Sequence, residues 1–362
     1  MSTPAELAFL QPVPRSLVHR NSVAEVFVTD GLRLNDTLFA VAAQWPRDHA
    51  LYHPDSNGFS DPLLLAETIR QSLLYVSHSH LGIALGSHFV GYGVTFDITD
   101  LEALRVGPAP LTVVLEIDWT WEDKRPNRAL ARLDVTFTAD GRPFATGQVR
   151  SLVLDERRYR LLRARPATGA QAPPAANHGL THVLNTPPDA AIAPDRALTP
   201  SPVITPPNPV IASPERVGRL RRRDCVLQEP TPHSPWRLRL DRGHAVLFDH
   251  PTDHVPMMAM LEGFRQLGHL MAHEASGAGT GQAYALTGAT VDCLAFGELH
   301  QPIDLACEER THDASSGQRR MRITALQQGR PIAAAELTWN PADPAGQDET
   351  AARGTAGTSA FR

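Results

Sequence analysis

Two segments of the chain carry the same polar side chains in the same order. Each holds a glutamate, an arginine three residues later and a glutamine directly after it: Glu67, Arg70 and Gln71 in the first, Glu262, Arg265 and Gln266 in the second. On a helix, positions i, i+3 and i+4 share one face, so each set is expected to meet. Charge is costly to bury in apolar surroundings unless it pairs or does chemistry. The repetition predicts a duplicated fold with a candidate site in each copy.

Such a set can combine general-base catalysis with anion binding. Burial raises the pKa of a carboxyl group towards neutrality, although a nearby arginine opposes that shift. General-base assistance is typically worth about 10²–10⁴-fold in rate. Arginine offers a planar fork of donors that suits phosphate. We therefore interpret both glutamates as candidate catalytic residues, and both arginines and both glutamines as candidate substrate-binding residues. The alternative is an ordinary ion pair, worth about 0.3–0.5 kcal/mol when exposed.

Histidines ahead of both segments are further candidates. A His-Pro step stands at His53 and again at His250, and His254 follows the second step. We interpret these three imidazoles as candidate substrate-binding groups, with a role in shaping a turn as the alternative.

The elements that must position these residues also repeat. The first helix is predicted to begin near Pro62 with Asp61 as its N-cap, and the second near Pro256. Both segments are apolar around most of their circumference and should be buried on most sides. Strand-like runs follow in matching order, at 90–98, 110–117 and 144–154 and again at 286–296, 302–308 and 332–339. Such units indicate the α+β class.

The predicted organisation is two domains joined by a linker. An N-terminal domain is expected over residues 1–165 and a C-terminal domain over 215–340. Residues 166–214 carry a large share of the chain's 31 prolines, which favours a semi-stiff or disordered linker. Residues 341–362 have few large apolar groups and are expected to form a disordered tail.

Composition narrows the class of protein. The net charge of −5 argues against a general nucleic-acid binder. No apolar stretch approaches the roughly 18 residues of a membrane span, and no secretory leader is apparent, so we expect a cytoplasmic protein without a membrane partner. The three cysteines show no metal spacing and are expected to be reduced.

Two weaker patterns have structural alternatives. His269 and His273 stand at the i, i+4 spacing of some metal sites, but no third ligand is evident, so no metal is predicted. Arg219 and the run Arg221–Arg223 form a basic stretch. Such a stretch is typical of a solvated face, with docking of an acidic acyl carrier protein as the alternative.

A resemblance to a known family rests on longer motifs. The segment 249–266, Asp-His-Pro-Thr-Asp-His-Val-Pro-Met-Met-Ala-Met-Leu-Glu-Gly-Phe-Arg-Gln, resembles the signature of the A-factor biosynthesis (AfsA-type) hotdog family. Residues 18–30 and 61–71 resemble the opening and first central helix of that family, and 219–227 with 236–241 its lead-in to a second domain. Met257 departs from the Pro-Gly that the family usually has at the second helix start.

The resemblance implies a double hotdog, with two antiparallel sheets that each wrap a long central helix and pack as a pseudo-dimer, as a monomer or a higher oligomer. It implies transfer of a β-ketoacyl group from acyl carrier protein or coenzyme A to the hydroxyl of dihydroxyacetone phosphate, without a cofactor. Later steps would yield γ-butyrolactone, furan or butenolide signalling molecules that control antibiotic production. The family's functional acidic residue and arginine match the Glu and Arg of each central helix.

Two other functions stay open at this point. A hotdog dehydratase or thioesterase would act on similar thioesters, and His53 precedes Glu67 at nearly the spacing of a dehydratase. A non-catalytic acyl-ligand-binding protein or regulator is the third hypothesis. Between the two copies, the fuller signature favours the second as the acyl-transfer site.

Overall fold

The computed structural model describes residues 6–164, 209–274 and 283–342. In these ranges the helices are α1 (Leu63–Ser79), α2 (Glu156–Arg163), α3 (Pro214–Val217) and α4 (Met257–Glu274). The strands of the first half are β1 (Val28–Arg33), β2 (Leu38–Trp45), β3 (His88–Ile98), β4 (Leu111–Arg125), β5 (Arg128–Ala139) and β6 (Arg142–Leu154). Those of the second half are β7 (Leu227–Gln228), β8 (Trp236–Leu238), β9 (Ala283–Cys293), β10 (Ile303–His312), β11 (Arg319–Gln327) and β12 (Arg330–Ala342).

The two halves of the sheet mirror each other around a central seam. The strand order is β1-β2-β4-β5-β6-β3-β9-β12-β11-β10-β8-β7, with antiparallel pairing throughout. Each half therefore places its long helix against six strands, and the fold is the expected double hotdog.

One feature differs from the expectation of two separate sheets. Strands β3 and β9 pair from Gly93–Asp292 to Asp97–Gly288, so the described strands form one continuous sheet of 12. Each of these strands would otherwise expose an unpaired edge, and their pairing satisfies those backbone groups. The approach is close at Gly93, where an added Cβ would lie 2.4 Å from the carbonyl oxygen of Val291.

The two long helices are buried as predicted. Leu65 of α1 and Leu261 of α4 are fully buried and belong to one apolar core that extends through both halves. Helix α1 begins where expected, because Asp61 Oδ1 accepts a hydrogen bond of 2.9 Å from the backbone N–H of Leu63. Helix α4 begins directly after Pro256.

The six predicted strands are confirmed as parts of β3, β4, β6, β9, β10 and β12. The other six strands, β1, β2, β5, β7, β8 and β11, were not predicted. Strands β5 and β11 each pair by a tight turn with the strand that follows, and the turn residues Asp140, Gly141, Gln328 and Gly329 all have positive φ. The Asp140-Gly141 pair is a favoured sequence for a two-residue hairpin turn, so the sequence did indicate the first turn, whereas Gln328 is not a preferred residue at this position.

Most of the predicted linker (166–214) and tail (341–362) lies outside the described residues. Of the linker, residues 209–214 are described, with Ile211 bridged to Gln228 and Ala212 buried. None of the described helices is long and apolar enough to cross a membrane.

Candidate active site

Glu67 lies at the centre of a buried ionic cluster on α1. Its carboxylate is fully buried, and Oε1 accepts hydrogen bonds from Arg20, Arg70 and Gln71 at 2.6, 3.0 and 2.7 Å. Oε2 accepts a further bond of 3.0 Å from Arg70 Nε. Arg20 comes from the N-terminal segment, which passes over α1, and its Nη1 also reaches the carbonyl of Val246 in the second half at 3.4 Å. The cluster therefore lies where the two halves meet.

The second half repeats this cluster around Glu262. That carboxylate is fully buried and accepts hydrogen bonds from Arg219, Arg265 and Gln266. Arg219 Nη1 donates to the carbonyl of Leu51 in the first half at 2.8 Å, which mirrors the reach of Arg20.

Both effects expected for the pKa of these glutamates are present, and the arginines prevail over burial. Burial does raise the pKa of Glu67, but the charges of Arg20 and Arg70 outweigh it, and the pKa falls to about 2. Burial likewise raises the pKa of Glu262, and Arg219 and Arg265 bring it down to about 2. Both carboxylates are therefore ionised at neutral pH and bound to donors on both oxygens, which makes them poor general bases.

The glutamines bridge the backbone rather than face a ligand. Gln71 is fully buried, donates to the carbonyl of Glu25 at 2.7 Å and accepts from the N–H of Phe27 at 2.9 Å. Gln266 likewise donates to the carbonyl of Asp224 and accepts from the N–H of Val226. These bonds use the amide groups in structure, and the substrate-binding role of both glutamines stays a prediction.

The two clusters differ in charge. In the second, Arg219 also pairs with Asp61 at 2.6 Å, so its two arginines face two carboxylates. In the first, the ion pairs among the described residues set Arg20 and Arg70 against Glu67 alone. The cause is at the helix starts, because Asp61 precedes Pro62 of α1 whereas Val255 precedes Pro256 before α4. The direct ion pairs of the first cluster therefore leave one positive charge in excess. The charge of Glu25 also acts on Arg20, but that carboxylate lies 3.4 Å from His49.

The two clusters also differ in access. The side chain of Arg70 is 19% exposed and that of Arg265 is 7% exposed. A cavity of about 770 Å³ lies beside the first cluster, lined by Arg15, His19, Arg20 and His250 among other residues. The geometry thus points to the first half as the open site, whereas the fuller sequence signature favoured the second.

Two histidines complete the first site. His19 Nε2 lies 2.9 Å from His78 Nε2, and the two rings stack at a centroid distance of 5.0 Å. His78 Nδ1 lies 2.8 Å from the carbonyl oxygen of Ile83. Phe89 of β3 packs edge-on against both imidazoles.

The corresponding place in the second half is closed. Gly218 precedes Arg219 as His19 precedes Arg20, and both have positive φ, +62° and +51°. A Cβ added at Gly218 would lie 2.8 Å from the ring of His269, which occupies this space. His269 packs in turn against His273 and Trp339.

Comparison with known proteins agrees with this duplicated architecture. The family model described as the A-factor biosynthesis hotdog domain matches residues 1–155 and 203–343. The chain belongs to that family. A relative from Streptomyces virginiae, named 2-oxo-3-(phosphooxy)propyl 3-oxoalkanoate synthase, is 33% identical over 87% of this chain and 93% of its own length. A relative of the same name from Streptomyces griseus is 32% identical over 74% of this chain and 78% of its own length.

Among solved structures, similarity is more distant. An acyl-ACP thioesterase from Bacteroides thetaiotaomicron covers 83% of this chain and 98% of its own length, with 10% identity and a TM-score of 0.44.

The three histidines predicted to bind substrate occupy different places in this family member. His250 lines the cavity of the first site, and it is held there because Asp249 accepts hydrogen bonds from the backbone N–H groups of Asn21 and Ser22 at 2.6 and 3.0 Å. His53 is buried in the second site, with Nδ1 2.9 Å from the carbonyl oxygen of Pro54 and Nε2 accepting from the N–H of Leu220 at 3.2 Å. Both ring nitrogens of His53 are therefore in use, which disfavours the dehydratase hypothesis built on it.

His254 lies apart from both clusters, and its binding role stays a prediction. Its Nδ1 is 2.7 Å from Asp253, its ring packs edge-on against Phe296, and Tyr159 of α2 donates to the same aspartate at 2.7 Å. His254 therefore takes part in the contact between α2 and the second half.

Sequence reasoning missed His19, Arg20 and His78 as site residues and misplaced Arg219. Arg219 was assigned to a solvated basic face, but its side chain is 1% exposed and belongs to the Glu262 cluster. The positive φ directly before Arg20 and Arg219 is common to both halves, but in the sequence only the glycine at Gly218 indicates it. No group of three or more potential metal ligands is present in the described part of the chain, and His269 and His273 form a ring contact.

Proposed function

We propose that this protein transfers a β-ketoacyl group from a thioester to the free hydroxyl of dihydroxyacetone phosphate, releasing the thiol. The product is the ester for which the Streptomyces relatives are named. In the pathway that the family resemblance implies, this ester is the first intermediate of a butyrolactone-type signalling molecule. Because acyl thioesters of this kind are intracellular metabolites, we assign the reaction to the cytoplasm.

The observation that carries the proposal is the excess positive charge beside an open cavity. The acceptor's phosphate is a dianion, and guanidinium groups bind phosphate through charge-assisted hydrogen bonds. Arg70 is partly exposed, Arg15 and Arg20 line the cavity, and His250 stands opposite on the second half. The Glu262 cluster has no such surplus, because Asp61 neutralises it.

In this proposal Glu67 is a positioning residue. Its carboxylate fixes the guanidinium groups of Arg20 and Arg70 in one orientation, so the phosphate meets a preorganised pair of cations. Glu262 does the same for Arg219 and Arg265 in a cluster that stabilises the fold.

The acyl group enters, in this proposal, from the side of α4. Met257 begins α4, and its sulfur would lie 3.6 Å from a Cβ added at Gly91, two residues along β3 from Phe89. The start of α4 therefore lies next to β3 on the side of the first site. Backbone N–H groups at a helix start stabilise negative charge, so the first amides of α4 are suitable donors to the thioester oxygen as the bond to the acceptor forms.

The test is a product assay with the purified full-length chain. A β-ketoacyl thioester of acyl carrier protein, or separately of coenzyme A, is incubated with and without dihydroxyacetone phosphate, and products are identified by mass spectrometry. We expect a phosphorylated keto ester only when the acceptor is present, and the more active thioester identifies the carrier. Free acid formed regardless of acceptor would indicate a thioesterase. An enoyl product from a 3-hydroxyacyl thioester would indicate a dehydratase, and binding without turnover a regulator.

A further inference from the structure

The cavity of the first site is lined by an imidazole that takes no part in binding the phosphate or the acyl group. His19 lines the cavity directly beside Arg20, and its Nδ1 has no hydrogen-bond partner among the described residues. Its other nitrogen faces His78. An acceptor alcohol bound through its phosphate to Arg20 and Arg70 would present its hydroxyl in this cavity.

The hydrogen-bond chain fixes which nitrogen of His19 is free of a proton. The carbonyl oxygen of Ile83 can only accept, so His78 Nδ1 carries the proton of that 2.8 Å bond. In neutral His78, Nε2 is then an acceptor, and His19 Nε2 must donate to it across 2.9 Å. His19 Nδ1 is left with a free lone pair.

We propose that His19 is the general base of the acyl transfer, and that His78 is a positioning residue that holds its ring in the required tautomer. This inference rests on the proposed function and deepens it. It places the base on the N-terminal segment and not on the glutamate of the central helix.

The reaction balances without any further reactant. His19 Nδ1 takes the proton of the acceptor hydroxyl while the alcohol oxygen forms a bond to the thioester carbonyl carbon. The tetrahedral intermediate then breaks its carbon–sulfur bond and leaves the ester. The departing thiolate takes the proton from the imidazolium, which returns His19 to its starting form.

The groups that face His19 keep it unprotonated before substrate binds. Burial lowers its pKa to about 4, assisted by His78 and Arg70 of α1, His250 of the second half and His88 of β3. A bound phosphate dianion acts in the opposite direction and raises the pKa of His19, because it stabilises the imidazolium. The base therefore becomes stronger when the acceptor is in place.

Within its described residues, 209–274 and 283–342, the second half has no equivalent of His19. Gly218 stands where His19 would be, and the ring of His269 fills the space beside it. His273 matches His78 in the repeat, but its nitrogens are used by the carbonyl oxygen of His269 and the N–H of Tyr284. On this basis the part of the chain that the structure describes has a single working site.

The main test is His19→Asn in the full-length protein. Asparagine tolerates the positive φ of this position better than other polar residues, so the backbone should keep its shape. We expect kcat to fall by about 10²–10⁴-fold with the KM for dihydroxyacetone phosphate within threefold of wild type. A kcat within threefold of wild type overturns the assignment of His19 while the proposed function stands. A wild-type protein that forms no phosphorylated ester overturns both.

A second measurement separates catalysis from a loss of structure. His78→Phe removes the acceptor for His19 Nε2, and His78→Gln keeps one, so kcat should fall in the first variant and recover in the second. His273→Gln, at the matching position of α4, should leave kcat unchanged. A variant His78→Phe as active as wild type would exclude the positioning role.

The pH profile provides a third criterion. Activity requires unprotonated His19. The rate should therefore be constant at pH values above the pKa of His19 and should decrease as the pH falls below that pKa. The acid limb of kcat reports the enzyme–substrate complex, and the acid limb of kcat/KM reports the free enzyme. Because bound phosphate raises the pKa of His19, the limb of kcat should lie at higher pH. His19→Asn should abolish the difference between the two limbs. Identical limbs in the wild type would contradict the proposed base.

Discussion

The same Glu-x-x-Arg-Gln set has different surroundings in the two halves. Both glutamates are paired with two arginines, but among the described residues a second carboxylate, that of Asp61, forms an ion pair in the Glu262 cluster alone. One side chain at a helix start thus decides whether a cluster is neutral or cationic. The repeat alone would suggest two equal sites.

This difference predicts unequal costs when the glutamates are neutralised. Removing one partner from a buried ion pair typically lowers the free energy of unfolding by about 3–5 kcal/mol, because the remaining charge is uncompensated. Glu67→Gln leaves Arg20 and Arg70 without a carboxylate partner, whereas Glu262→Gln leaves Arg219 paired with Asp61. We expect Glu67→Gln to lower the free energy of unfolding more than Glu262→Gln, measured by urea denaturation of both variants. A larger loss in Glu262→Gln would contradict the charge argument.

At the scale of elements, the site depends on segments that cross between the halves. The N-terminal segment brings His19 and Arg20 over α1, and the loop ahead of α4 brings His250 to the same cavity. The bonds from Asn21 and Ser22 to Asp249 hold the two segments together. The pairing of β3 with β9 fixes the relative position of the halves.

The seam between β3 and β9 supplies a direct prediction. Gly93→Ala places a methyl group 2.4 Å from the carbonyl oxygen of Val291, a backbone atom that cannot move aside without breaking the pairing. Overpacking of this kind typically costs about 1–3 kcal/mol, so the variant should unfold at lower urea concentration and lose activity. Gly86→Ala is the control, since nothing lies within 4 Å of its added Cβ. Equal stability of the two variants would show that β3 and β9 can move apart at Gly93 without a loss of stability.

At the scale of the whole molecule, the two copies differ: the cluster of the first half lies beside an open cavity, whereas the Glu262 cluster of the second half is closed and stabilises the fold. In both copies an arginine ahead of the long helix reaches the other half, so each cluster lies at the interface. The halves share one apolar core and one sheet. We therefore expect the full chain, and not a separate half, to be the working unit.

Much of the fold was predictable because the apolar helices and alternating strands repeat in the same order. The Glu-Arg-Gln sets were found for the same reason, since helical spacing brings their side chains together. The Arg20 and Arg219 partnerships were not predictable, because they join segments that are distant in sequence. The low pKa of Glu67 and Glu262 followed from those partners and was therefore also missed.

The central claim is that the cationic cluster of the first half binds the phosphate of the acceptor. The most direct test compares the KM for dihydroxyacetone phosphate in two matched variants, Arg70→Gln and Arg265→Gln. The KM does not depend on the fraction of folded protein, so a loss of stability does not disturb the comparison. We predict that the KM rises at least tenfold in Arg70→Gln and stays within twofold of wild type in Arg265→Gln. An unchanged KM in Arg70→Gln, or a rise confined to Arg265→Gln, would contradict the account.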